Sequence, residues 1–334
     1  MTQTASRTVD LFGVTLDATG TGGAAHFLDR CTTIEAESLL GRRIGRYHIL
    51  RRLGAGSMGV VYAAHDPGLD RTVAIKILPI ANDGDAAGHR ETRLRREAQA
   101  LARVDHPNVV PVHDIGIDEA GVYVVMRLVD GVTLADRMTD RKTTRRQLLA
   151  MFADAGRGLV AAHDSEIVHR DFKPSNVLVG HDGRVFVGDF GLACSGDELA
   201  AYADEPILAA GSGVRAGALY QELTSQGSVI GTPYYMSPEQ HRGESATARS
   251  DQFAFAVSLW IALFARHPFG AHCHDGETAL ARMRGNEVMR PPPSKLVPRR
   301  VIKALKRALR HDPAERWPSM RELLAELEPR RWWA

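Results

Sequence analysis

Cysteine is scarce in this chain. Cys31, Cys194 and Cys273 are the three cysteines among 334 residues, widely separated and odd in number. That excludes a disulfide framework and points to a reducing compartment. An excess of one charge is also missing: 42 Lys and Arg stand against 40 Asp and Glu, leaving +2. A near-neutral chain offers no electrostatic footprint for nucleic acid or for an anionic membrane surface. Long apolar runs are missing too. The best candidate, residues 253–265, is too short to span a bilayer and reads as a buried core helix. The N-terminus lacks the basic-then-apolar pattern of a signal peptide. These absences predict a chain that is soluble as given, cytoplasmic, and without a membrane span. No internal repeat occurs. The adjacent His272-Cys273-His274 resembles a metal cluster only superficially, because neighbouring residues rarely point at one ion.

The composition that remains, 44% apolar and 25% charged, is ordinary globular composition, and the length allows two lobes with a real core. Residues 1–44 read as an extension, mobile in part, in which Leu39 and Leu40 are candidates to pack onto the domain. Residues 47–53, 60–65 and 72–78 carry the signals of three strands. Residues 90–104 have a helical period in Leu94, Ala98, Leu101 and Val104. Residues 109–117 and 121–128 form a hairpin-like pair. Beyond a hinge at 127–130 the signals turn helical, at 147–163, 253–264, 277–284, 299–310 and 320–327. Short strands are expected at 167–168, 177–179 and 185–187. The expected class is α+β: a β-rich N-lobe of about 45–129 and a larger, mainly helical C-lobe of about 130–330, within a domain of 45–334.

The chemistry lies in four short segments. Gly54-Ala55-Gly56-Ser57-Met58-Gly59 sits between two strands, and its glycines let backbone amides approach phosphate oxygens. A glycine pattern of this kind that opens a helix would mark a dinucleotide fold; here a strand ending in Val61 follows, which favours a flap over ATP. Lys76 lies in the apolar strand Val73-Ala74-Ile75-Lys76, where a lone ammonium is costly. Glu97, on the following helix, is its natural partner. Asp171 and Asn176 share a loop, His169-Arg170-Asp171-Phe172-Lys173-Pro174-Ser175-Asn176. Asp171 can take or orient the proton of an attacking hydroxyl, Lys173 can neutralise a transferring phosphoryl group, and Asn176 offers an oxygen to Mg²⁺. Asp189-Phe190-Gly191 follows after a short strand and aims a second oxygen ligand at the metal. Phosphoryl transfer needs little more than this set.

From about Tyr47 to Leu327 the chain resembles the eukaryotic-like protein kinase family. The loop at 169–178 and Gly231-Thr232-Pro233-Tyr234-Tyr235-Met236-Ser237-Pro238-Glu239-Gln240 look like its bacterial serine/threonine branch. Lys173, two residues after the base, is the serine/threonine form. The resemblance implies a bilobal kinase fold, ATP with Mg²⁺ or Mn²⁺, and protein substrates carrying Ser or Thr in bacterial signalling. It implies a nucleotide site of Gly54, Ala55, Gly56, Ser57, Gly59, Val61, Ala74, Lys76, Met126, Leu128 and Leu178. It implies that Glu239 pairs with Arg316, that Asp251 holds the catalytic loop backbone, and that Thr232 contacts Asp171 and Lys173. His169, Phe190 and Leu101 are expected to stack in one apolar column. Arg170 is expected to recruit a phosphate placed on Thr224, Ser225 or Ser228 by autophosphorylation. Small-lobe dimers occur among similar kinases, so a homodimer is a further expectation.

The chain departs from the family in the 50 positions from Asp189 to Glu239, longer than usual, with the excess at 199–219. Regulation or docking is one reading of that insertion; a tolerated surface loop is the other. Two alternatives to a protein kinase follow from the same motifs. A pseudokinase scaffold requires a lost lysine, base or metal Asp, and none is lost. A small-molecule kinase shares the nucleotide site but usually lacks the Ser-Pro-Glu segment and its arginine.

Overall fold

A computed structural model describes residues 39–56, 59–78, 85–119, 121–190, 233–270, 276–285, 288–291 and 297–328. Several expectations fall outside these residues: Ser57, Thr224, Ser225, Ser228 and Thr232, the insertion at 199–219, and the three cysteines. The chain divides into two compact units, Met1–Arg95 with His113–Leu128, and Arg96–Val112 with Val129–Ala334.

The first unit is built on a six-stranded sheet. Its strands are β1 Arg43–Ile44, β2 Tyr47–Gly56, β3 Gly59–Asp66, β4 Arg71–Leu78, β5 Val112–Asp118 and β6 Gly121–Arg127, in the order β1-β2-β3-β4-β6-β5. The pairings β1/β2, β2/β3, β3/β4 and β4/β6 are antiparallel. Side chains alternate across a strand, so register decides which residues share a face. Tyr62, Ala64, Val73, Ile75, Ile77, Tyr123 and Val125 pack with Ile49 and Tyr47 into one apolar core. Of the two leucines ahead of the sheet, Leu39 is buried in that core and Leu40 is exposed. Tyr47 donates its hydroxyl to Asp114 Oδ2 at 2.6 Å, and Arg46 lies over its ring. Burial and that carboxylate drive the phenol well above its ordinary range.

Gly59 is fixed by packing before any ligand is considered. Its φ is +130°, and a Cβ there would lie 2.1 Å from the Ile77 carbonyl oxygen. A backbone atom cannot step aside as a side chain can. Gly59→Ala is therefore expected to cost more than about 1 kcal/mol, read as a lower urea midpoint at unchanged slope.

Helix α1, Asp85–Leu101, follows β4, and its residues from Arg96 onward count with the second unit. The strand expected at 109–117 begins only at Val112. Val109 instead bridges to Val187, and the Val110 N–H donates to the Val187 carbonyl at 2.9 Å. The second unit contains α2 Leu134–Thr139, α3 Arg145–Asp164, α4 Pro238–His241, α5 Ala248–Phe264, α6 Gly276–Arg284, α7 Arg299–Ala308 and α8 Met320–Leu327. A small sheet, β7 Gly131–Thr133, β8 Val177–Gly180 and β9 Val185–Val187, joins them. The strand expected at 167–168 does not form, because the Ile167 N–H turns back to the Ala162 carbonyl and closes the end of α3.

α5 is apolar nearly all round and lies at the centre of this unit, as such a helix must. It begins five residues earlier than the apolar run, because Thr247 and Ser250 form a capping box. Phe255 meets Phe152 of α3 edge-on and Phe172 of the loop at 169–176, at ring separations of 5.6 and 5.7 Å. α3 passes close to residue 108: a Cβ on Gly158 would lie 2.3 Å from the Asn108 carbonyl oxygen. No helix among the described residues is long and apolar enough to cross a membrane.

Candidate active site

The first unit contributes one face of its sheet. Register pairs Val61 with Lys76, Lys76 with Val124 and Ala74 with Met126. These residues alternate with the core residues Tyr62, Ile75 and Val125, so Val61, Ala74, Lys76 and Met126 share the face opposite the core. Lys76 is 3% exposed. The segment Gly54-Ala55-Gly56 pairs with Val61, Val60 and Gly59, which makes the glycine motif the tip of the β2–β3 hairpin. Three apolar or small positions, one buried ammonium and a glycine-rich tip thus come from one sheet.

The second unit contributes the loop at 169–176 and the end of β9. β8 and β9 pair Val177 with Val187, so Asn176 lies opposite Gly188, the residue before Asp189. The Gly188 N–H donates to the Asn176 carbonyl at 2.9 Å and closes that end of the hairpin. Asn176 Nδ2 donates to the Asp171 carbonyl at 2.8 Å and to Asp171 Oδ2 at 3.3 Å. With its amide nitrogen engaged in this way, Asn176 has its oxygen to offer a cation. Lys173 Nζ lies 2.9 Å from Asp171 Oδ2. Asp189 and Arg170 have φ of +55° and +67°. Non-glycine residues held in the left-handed region are costly and concentrate where side-chain direction matters.

Asp251, at the start of α5 and 1% exposed, organises this loop. Its Oδ2 accepts from the His169 N–H at 2.7 Å, and its Oδ1 from the Arg170 N–H at 2.9 Å. His163 Nε2 reaches the same Oδ2 at 2.8 Å. The His169 ring packs against Phe190 at 4.6 Å and Phe172 at 5.7 Å, and its Nε2 bonds the Gly188 carbonyl at 3.0 Å. One imidazole therefore ties the loop at 169–176 to the loop of Asp189. Leu101 belongs to the same apolar cluster as Phe190.

Glu239 and Arg316 meet in a buried, two-pronged pair. Nη1 reaches Oε1 at 2.7 Å and Nη2 reaches Oε2 at 2.8 Å, with both side chains almost fully enclosed. Burial alone would raise the Glu239 carboxyl. Hydrogen bonds and charge from Arg316, with the Ser250 hydroxyl, outweigh it and hold the group below the ordinary glutamate range.

Three contacts were missed from sequence. Gln240 Nε2 donates to the Arg170 carbonyl at 2.7 Å, while its Oε1 caps Ser237. The capping-box spacing of Ser237 and Gln240 was a readable signal for the second role but not for the first. His163 carried no signal beyond its place near the end of a helix. Arg170 Nη1 donates to Glu97 Oε1 at 3.0 Å, a contact across 73 positions that no local pattern announces.

Comparison with known proteins bears on the family and the fold. The protein kinase domain family matches residues 47–327. Serine/threonine-protein kinase PrkC of Bacillus subtilis is 35% identical over 87% of this chain and 41% of its own. Serine/threonine-protein kinase PknB of Mycolicibacterium smegmatis is 36% identical over 84% and 42%. The chain thus spans about two fifths of the length of these curated relatives. The crystal structure of the Mycobacterium tuberculosis PknI kinase domain superposes with a TM-score of 0.61 at 26% identity, covering 86% of this chain and 96% of that one. With its curled antiparallel sheet, its helical lobe and these relatives, the chain belongs to the protein kinase family, in the bacterial serine/threonine branch.

Proposed function

We propose that the chain transfers the γ-phosphoryl group of ATP to serine or threonine hydroxyls of proteins, in the cytoplasm, with Mg²⁺ or Mn²⁺. The observation that carries this reading is the tether on Asp171. Lys173, Asn176 and the backbone grip of Asp251 hold the loop of one carboxylate, and Asn176 and Asp189 flank the two strands of one hairpin in sequence. An amide oxygen and a carboxylate are the donor types a hard divalent cation takes. When bound, that cation neutralises charge on the phosphates.

The chain's own residues divide the rest. Gly54, Ala55, Gly56, Ser57 and Gly59 cover the phosphates with backbone amides. Lys76 neutralises the α- and β-phosphates, with Glu97 as counter-ion. Val61, Ala74, Met126, Leu128 and Leu178 enclose the adenine. Asp171 orients the acceptor hydroxyl and takes its proton, Lys173 stabilises charge on the group in flight, and Thr232 lines the acceptor shelf. Arg170, whose guanidinium lies on Glu97, is the group that a phosphate on Thr224, Ser225 or Ser228 would attract, so autophosphorylation and a homodimer that delivers it belong to the same proposal.

Lys76→Met tests the nucleotide half. Removing one preorganised charge from a phosphoryl-transfer site is expected to lower the rate about 10²–10³-fold with little change in melting temperature. A variant as active as the wild type would refute the role given to Lys76.

A further inference from the structure

The second unit carries a cavity of about 1030 Å³ that phosphoryl transfer does not use. Leu149, Phe152 and Ala153 of α3, Leu259 and Ala262 of α5, and Val301 of α7 form its apolar lining. Leu149, Ala153 and Ala262 are only partly buried, so apolar surface faces the opening. The last described residue, Glu328, also lines it. Two arginines of the lining hold Glu328 there: Arg157 Nη1 donates to Oε1 at 2.5 Å and Arg300 Nη2 to the carbonyl at 2.7 Å. Glu328 leaves α8 in an extended conformation, with φ −69° and ψ 133°. Beyond it the sequence reads Pro329-Arg330-Arg331-Trp332-Trp333-Ala334.

We infer that this groove is the docking site of the chain's own Trp332 and Trp333. Reach permits it: four extended residues beyond Glu328 span roughly 13 Å, against roughly 10 Å across a compact cavity of that volume. Chemistry favours it: each indole has on the order of 150–250 Å² to bury, and the lining is apolar. The polar side of the groove matches as well. Arg300 Nε is buried without a hydrogen-bond partner among the described residues, a donor that a carbonyl of the tail can satisfy.

Acrylamide quenching of tryptophan emission in the full chain tests this, because Trp260 is fully enclosed and Trp317, partly buried beneath Arg307 and outside the groove lining, gives the same background in every variant. Leu149→Arg puts a charge on the groove wall and is expected to raise the quenching constant about twofold. Trp332→Ala/Trp333→Ala is expected to lower the melting midpoint by about 3 °C, with no further loss when Leu149→Arg is added, since one contact cannot be lost twice. Should Leu149→Arg fail to fold, Arg157→Ala, a surface change that removes one of the two contacts holding Glu328, is expected to raise quenching in the same direction. Unchanged quenching in both groove variants overturns the proposal. So does protection that grows with protein concentration, which would assign the groove to a second copy. Equal protection of wild type and Leu149→Arg by anionic vesicles also overturns it, since the tail would then be a membrane anchor.

Discussion

Asp171→Asn is expected to slow phosphoryl transfer about 10³-fold while leaving ATP affinity within roughly threefold. The hydrogen bonds of the loop give the reason. Asp171 Oδ2 is the oxygen that Lys173 and Asn176 approach, at 2.9 and 3.3 Å. Asparagine has the same shape and keeps the backbone contacts with Asn176 and His169. It carries no negative charge and cannot accept a proton. An amide placed with its nitrogen toward the Lys173 ammonium sets donor against donor, so the side chain must turn. Binding of nucleotide rests on other residues and survives. Single-turnover transfer at saturating ATP, compared with nucleotide affinity measured separately, distinguishes the two effects.

Arg316→Ala is expected to destabilise the fold by about 3–5 kcal/mol, the cost of leaving a buried carboxylate without its partner. The guanidinium is fully used. Nε donates to the Arg310 carbonyl at 2.8 Å, Nη1 to Glu239 and the Arg249 carbonyl, and Nη2 to Glu239 and the His311 carbonyl. Its carbon lies 4.9 Å from the centre of the Phe253 ring. Lysine cannot replace this planar fork and is expected to rescue little. The loss is a large part of the usual 5–15 kcal/mol, and the melting temperature should fall on the order of 10 °C. The pair also sets a pH dependence. Because the folded Glu239 carboxyl sits below its unfolded value, its stabilisation is fully present above the unfolded value and is lost as pH falls through the folded one. Glu239→Gln should therefore flatten the decline in stability on the acid side, as followed by urea unfolding from pH 7 to pH 3.

Much of the site was legible because its chemistry is local. The loop at 169–176 and the Asp189 motif declared themselves by residue type and spacing, and the hairpin between them is short enough for two strands to be read directly. Met320–Leu327 was readable from its apolar period alone. Elements set by caps or by distant pairing were harder. β7 and α2, at Gly131–Thr133 and Leu134–Thr139, are too short for a period to show; the Thr133–Asp136 capping box was the available sign. The start of β5 depended on Val187, 78 positions beyond Val109. The link from Arg170 to Glu97 depended on a helix and a loop meeting in space, which no spacing rule encodes.

The most direct measurement of protein kinase activity is mass spectrometry of a protein substrate after incubation with the chain, ATP and Mg²⁺. The expected result is phosphoserine or phosphothreonine on the substrate with the wild-type chain and none with Asp171→Asn. Bound or hydrolysed ATP with no phosphorylated protein hydroxyl, or equal products from both chains, would contradict transfer to protein hydroxyls through Asp171.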